Sequence, residues 1–195
     1  AQTAQAYFDL AGALLEPRPA RLIAIGGLSG SGKTTVAEAL APHIGTPPGA
    51  RIGESDRLRK AMFRVPPDMR LDKDAYRPEI SRLVYDRLAE LARTITGDGG
   101  TMVVDAVFDD AERRDAIERA ARDAGVKFAG IWLDADPAIL RQRVAARHHG
   151  PSDATVDVLD RQLARFTGDI GWKRIAAAQA PQDVVRDILN AAESP

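Results

Sequence analysis

The sequence predicts an α/β fold built on a five-stranded parallel sheet flanked by helices, and three observations carry that prediction. Short apolar runs alternate with amphipathic stretches, the pattern of strands buried on both faces and covered by crossover helices. A glycine-rich turn joins the first apolar run to a helix. Turn-rich segments separate the remaining runs, among them Thr46-Pro47-Pro48-Gly49, Pro66-Pro67-Asp68 and Gly97-Asp98-Gly99-Gly100.

Taken in order, residues 2 to 15 have helical spacing, with Tyr7, Leu10, Ala11, Leu14 and Leu15 near one face, until Pro17 and Pro19 interrupt it. Residues 1 to 20 are therefore expected to form a helix and a Pro-containing linker ahead of a domain at 21 to 195. Strands are expected at 22 to 25, 50 to 53, 102 to 104, 128 to 133 and, more weakly, 172 to 177. Helices are expected over 33 to 45, 57 to 64, 76 to 97, 110 to 124, 136 to 148, 155 to 167 and 182 to 192. Phe63, Tyr76, Tyr85 and Phe166 fall on these helices, where core packing is their usual role, and Trp172 is expected to pack near the last strand.

Composition narrows the function classes. The chain has 195 residues, 45% of them hydrophobic and 28% charged, enough to bury one core. A net charge of -1 with interspersed signs offers no stripe for gripping a long nucleic acid. The absence of cysteine removes disulfides and thiolate chemistry and fits a reducing compartment, so cytoplasm is expected. No apolar run reaches the roughly 18 residues that span a bilayer. The chain begins at Ala1, which fits a processed product or a piece of a longer polypeptide.

The segment Gly27-Leu28-Ser29-Gly30-Ser31-Gly32-Lys33-Thr34, followed by Thr35, lies between strand and helix, the setting of a phosphate-binding P-loop. Glycines let backbone N–H groups point at phosphate oxygens, and the helix N-terminus adds partial positive charge. Lys33 is expected to reach the β- and γ-phosphates and Thr34 to bind Mg²⁺. A chance match in a chain this long arises on the order of one time in a hundred. A dinucleotide fold competes, since Asp56 lies near the ribose-binding distance, but Thr35 stands where its third glycine belongs.

Ala24 to Thr34, Ser55-Asp56 with Arg59-Lys60, and Val103-Val104-Asp105-Ala106-Val107-Phe108 resemble small P-loop kinases related to gluconate kinase, polynucleotide kinase and zeta toxins. The chain is also similar to AAA-type ATP-binding domains fused behind aminoglycoside-phosphotransferase-like domains, which implies an upstream domain of that kind as partner. The resemblance covers about residues 20 to 190. It implies that Asp56 orients the acceptor hydroxyl, that Arg59, Lys60 and Arg114 face the substrate, and that Asp105 joins Thr34 in holding Mg²⁺. Ala106 stands where hydrolytic motors place a water-activating Glu, which implies transfer over hydrolysis. Asp56 and Asp105 could instead simply cap the turns that follow them.

Arg143 and Arg147 are spaced i, i+4 and are expected to share one helix face. The resemblance makes them lid arginines for the transferring phosphoryl group, the alternative being a solvated face. Adjacent His148 and His149 lack a nearby third ligand and are not expected to bind metal. By likeness the loop at 177 to 181 borders adenine. The expected reaction is Mg²⁺-dependent transfer of the ATP γ-phosphoryl group to a hydroxyl of a small molecule. Alternatives are an ATP-binding regulatory module of a fused phosphotransferase, a polynucleotide 5′-hydroxyl kinase and a nucleotide hydrolase.

Overall fold

The computed structural model describes residues 2–147, 150–166 and 169–193. Five strands form one parallel sheet: β1 (Arg21–Gly26), β2 (Arg51–Glu54), β3 (Met102–Asp105), β4 (Lys127–Asp134) and β5 (Lys173–Ala176). Their order is β2-β3-β1-β4-β5, so β1 is central, between β3 and β4. The five expected strands are present, displaced by at most a residue or two.

Side chains alternate across the sheet and so divide the core. Leu22 and Ala24 of β1 join Met102, Val104 and Trp132 on one face, beneath α4 (Pro78–Gly97) and α5 (Ala111–Asp123). Ile23 and Ile25 join Val103, Ile131 and Leu133 on the other, beneath α2 (Lys33–Leu40) and α8 (Pro181–Glu193). Because β1 is apolar on both faces and entirely buried from Leu22 to Ile25, it anchors the turn that follows. Gly130 of β4 has a packing reason: a Cβ there would lie 2.5 Å from the Trp172 ring. Trp172 also packs edge-on against Phe108 and Phe128 and donates to Glu118 Oε1 at 2.7 Å.

The helices correct several expected boundaries. α2 stops at Leu40 and tightens into a 3₁₀ turn at Ala41–His43, since Pro42 cannot continue it. α3 (Ser55–Met62) starts two residues early, and Glu54 rather than Asp56 is its N-cap residue. The helix expected from 76 begins as α4 at Pro78, after a 3₁₀ turn at Lys73–Tyr76. Val84, Leu88, Ala92 and Thr96 form its buried stripe at four-residue spacing. α6 (Pro137–Ala145) ends before 148, and α7 (Val156–Arg165) follows.

Ahead of β1, α1 (Gln2–Leu15) exposes its apolar side chains, with Tyr7 at 70%, Phe8 at 74% and Leu15 at 80%. Among the described residues no helix is long and apolar enough to cross a membrane.

Candidate active site

β1, β2 and β3 end level with one another, because Ile25 and Glu54 both pair with Asp105. Beyond these carboxyl ends, where open parallel sheets bind ligands, lies a cleft of about 1170 Å³. That exceeds the roughly 300 to 1000 Å³ of a typical small-molecule pocket and leaves room for two ligands.

One half of the cleft is the phosphate loop. Gly30 and Gly32 sit at φ 87° and 88°, a left-handed conformation that glycine adopts without strain. A Cβ on Gly30 would also lie 2.7 Å from the Leu140 carbonyl oxygen, so the loop packs on the backbone of α6. Gly32 is the N-cap residue of α2, whose first amides and positive dipole end face the cleft. The Ser31 hydroxyl is buried without a partner among the described residues. Lys33 Nζ donates to the Leu28 carbonyl at 3.2 Å. Burial pushes the Lys33 pKa down, against the attraction of Asp105 and Asp56. The Thr34 hydroxyl donates to Asp105 Oδ2 at 2.5 Å. Burial raises the Asp105 pKa despite Lys33 and Thr34.

These residues fit a nucleotide phosphate with Mg²⁺. An orphaned hydroxyl, a poised lysine and a helix N-terminus converge, and Mg²⁺ is commonly held by one or two protein groups together with substrate phosphates. Among the described residues no cluster of three His, Asp or Glu forms a separate metal cage. His148 and His149 lie outside the described residues.

The other half is the acceptor side. Asp56 occupies the first turn of α3, half-buried, and makes no hydrogen bond or ion pair among the described residues. Arg59 is 5% exposed; its Nη1 donates to the Ala75 carbonyl at 2.6 Å, and its guanidinium lies over the Tyr76 ring at 4.7 Å. Both line the cleft together with Thr35, Ser29 and Gly32.

Of the remaining expected residues, Arg147 lines the cleft, whereas Lys60, Arg114 and Arg143 do not. Lys60 is 1% exposed, binds the Pro67 carbonyl at 2.9 Å and pairs with Asp153 at 3.0 Å. Arg114 turns toward the carbonyls of Phe108 and Asp169. Arg143 and Arg147 do not share a helix face, because α6 ends at Ala145. Arg143 donates to the Ala177 carbonyl at 3.0 Å, while Arg147 lines the cleft with its Nη1 buried and without a partner among the described residues.

Three residues escaped the sequence reading. Gln162 of α7 accepts the Ser29 N–H at 3.0 Å through Oε1, tying that helix to the phosphate loop. Tyr76, expected in the core, lines the cleft and donates its hydroxyl to Asp153 at 2.7 Å. Asp153 also accepts the Leu71 amide at 2.9 Å, so it latches the loop before α7 to the segment between α3 and α4. No local spacing signals such pairs.

The latch has a measurable consequence. Asp153→Asn leaves the buried Lys60 ammonium without a counter-charge and is expected to destabilise the fold by about 2 to 4 kcal/mol in denaturant unfolding. Burial pushes the Asp153 carboxyl up, but the Leu71 amide, the Tyr76 hydroxyl and Lys60 prevail and hold it below its usual range. Its contribution is therefore full above the unfolded carboxylate pKa of about 3.9 and fades as pH falls through the lower folded value. The gap between wild type and variant should close on acidification below about pH 4; equal stability at pH 7 would disprove the latch.

Fold and cradle together define a P-loop, kinase-like nucleotide-binding domain. The chain belongs to the AAA domain family, whose family model matches residues 22–168. It is 27% identical over 156 residues to the uncharacterized protein Rv2004c of Mycobacterium tuberculosis, a match that takes in 77% of this chain and 30% of that protein. The chain thus spans less than a third of the length of that relative. It is 26% identical over 142 residues to the adenylyl-sulfate kinase of Myxococcus xanthus, covering 73% of this chain and 69% of that enzyme. The crystal structure of a gluconokinase from Sinorhizobium meliloti shares the fold, with a TM-score of 0.59, 24% identity and coverage of 89% of this chain and 91% of that one.

Proposed function

We propose that this domain is an ATP-dependent kinase that transfers the γ-phosphoryl group to a hydroxyl of a small molecule. The observation that carries the reading is the placement of Lys33, Thr34 and Asp105 in one continuous cleft with the Asp56 carboxylate, which has no partner among the described residues. A cradle alone would serve binding; a free carboxylate beside it serves an acceptor. The similarity to an adenylyl-sulfate kinase and a gluconokinase supports the same reaction class.

In this reading Lys33 and the loop amides hold the β- and γ-phosphates, and Thr34 and Asp105 would hold Mg²⁺. When bound, Mg²⁺ offsets the charge that develops on the phosphoryl oxygens. Asp56 takes the acceptor hydroxyl proton as the acceptor oxygen bonds to the γ-phosphorus and the bond to the β–γ bridging oxygen breaks, leaving ADP. Arg147, whose buried N–H is unsatisfied among the described residues, stabilises the transferring group. Arg59 lines the acceptor wall.

The direct test is a screen of hydroxyl-bearing metabolites with γ-labelled ATP. A labelled product is expected from one chemical class; ATP binding without any labelled product would overturn the reading in favour of a regulatory module. The arginines sharpen the test. Arg147→Met should slow transfer by about 10² or more with little change in ATP affinity, while Arg143→Met, already bound to a backbone carbonyl, should stay within a few-fold. Equal effects in steady-state kinetics would contradict the assignment.

The domain is further proposed to work in the cytoplasm, attached to an upstream aminoglycoside-phosphotransferase-like domain. The exposed apolar side chains of α1 and the greater length of Rv2004c support a covering domain.

A further inference from the structure

Gln162 is a buried polar side chain, 8% exposed, on the face of α7 that lines the cleft. Its Oε1 accepts the Ser29 N–H at 3.0 Å, and because a backbone N–H only donates, the other arm of the amide is the NH₂ group. Those two donors have no hydrogen-bond partner among the described residues. The bond also fixes where the amide sits along a bound nucleotide. Ser29 N–H and the Leu28 carbonyl are two ends of one peptide unit, and the carbonyl accepts Lys33 Nζ at 3.2 Å. Lys33 is the residue that reaches the β- and γ-phosphates, so this peptide lies beside the outer end of the phosphate chain. Arg161 and Arg165 of α7 line the cleft as well, against one carboxylate, Asp157, so the field along this wall favours an anion.

We infer that Gln162 is a specificity-determining residue for the nucleotide: its NH₂ group donates to the terminal phosphoryl oxygens of a triphosphate, while its carbonyl holds the Leu28–Ser29 peptide with the oxygen turned to Lys33. The inference rests on the phosphate-loop reading and not on phosphoryl transfer. A diphosphate lacks the oxygens these donors meet and leaves them unpaired in a buried side chain, so the site prefers the triphosphate. The anchor matters because Gly27 and Gly30, both at positive φ, flank the peptide and make its rotation cheap. Without an acceptor for the Ser29 N–H, the peptide is free to turn over and aim its carbonyl at the phosphates.

Two substitutions separate the anchor from the donor. Gln162→Glu still accepts the Ser29 N–H but puts a second carboxylate oxygen where the NH₂ group was; Gln162→Met, of similar length, removes both. Calorimetric titrations with Mg²⁺·AMPPNP and Mg²⁺·ADP, beside a thermal melt, read the ratio of the two affinities. Gln162→Glu should lower AMPPNP affinity by about tenfold or more, since a charge-assisted hydrogen bond gives way to a repulsion, while ADP affinity stays within a few-fold of wild type. Gln162→Met should weaken both nucleotides, AMPPNP the more. A residue that only props the loop would move both affinities together, so an unchanged ratio in either folded variant overturns the inference. A crystal structure of the wild-type AMPPNP complex reads the contact without any variant, and Nε2 beyond hydrogen-bond reach of every γ-oxygen overturns it too. Its fate is separable from that of the kinase reading. A shifted ratio in protein that phosphorylates no acceptor keeps the inference and removes the kinase. A labelled product with an unchanged ratio keeps the kinase and removes the inference.

Discussion

Lys33→Ala should weaken binding of ATP·Mg²⁺ by roughly 30- to 1000-fold, about 2 to 4 kcal/mol, while the domain stays folded. The size of the loss follows from what surrounds the lysine. Burial disfavours its charge, and Asp105 and Asp56 offset that only in part. Its ammonium donates to the Leu28 carbonyl within the loop, which holds the group over the space where phosphates would sit. Without it the same space faces two carboxylates, so the variant loses an attraction and uncovers a repulsion. The fold should survive because the loop is held independently, by Gly30 packed on α6 and by Ser29 bonded to Gln162. Calorimetric titration beside a thermal melt reads both quantities; unchanged affinity in a folded variant would disprove the phosphate-loop assignment.

The parts of this molecule that were legible in the sequence are those encoded by neighbours. The strand, glycine turn and helix around Lys33 occupy one contiguous stretch, so pattern and chemistry reinforce each other there. Asp56 and Asp105 were singled out by the resemblance to small P-loop kinases, and both line the cleft beyond the carboxyl ends of the sheet. Contacts made across the chain were not legible. Gln162 meets Ser29 over 133 residues, and Asp153 meets Leu71 over 82. Lys60 illustrates the limit well. Next to Arg59 it reads as a second substrate cation, yet only the folded position of Asp153 decides that its charge is spent on a structural pair.

The shared face expected of Arg143 and Arg147 failed for a different reason. Spacing i, i+4 places two residues on one face only while the helix lasts, and α6 ends between them. Arg143 keeps its helical position and meets a backbone carbonyl, whereas Arg147 leaves the helix and reaches the cleft.

Asp56→Asn separates a kinase from an ATP-responsive module. Glu54 is the N-cap residue of α3, so the substitution removes no cap, and Asp56 has no hydrogen bond or ion pair among the described residues to lose. Asparagine keeps the shape and deletes the negative charge and the proton acceptor. Asp56 also attracts Lys33, and it would repel a bound nucleotide's phosphates, so ATP should bind as before or somewhat more tightly. Transfer to the acceptor should nevertheless fall by about 10² or more, the range expected for a positioned general base. Binding that holds or improves while turnover collapses is not the pattern of a residue that only binds substrate, because losing such a contact raises KM with kcat spared. Slow hydrolysis should persist, since water enters without an oriented acceptor. A regulatory module predicts something else: the variant would match wild type in nucleotide affinity, in background hydrolysis and in its effect on any attached domain. A silent Asp56→Asn, in protein that binds ATP and yields no labelled product from the acceptor screen, would transfer the assignment from kinase to regulator.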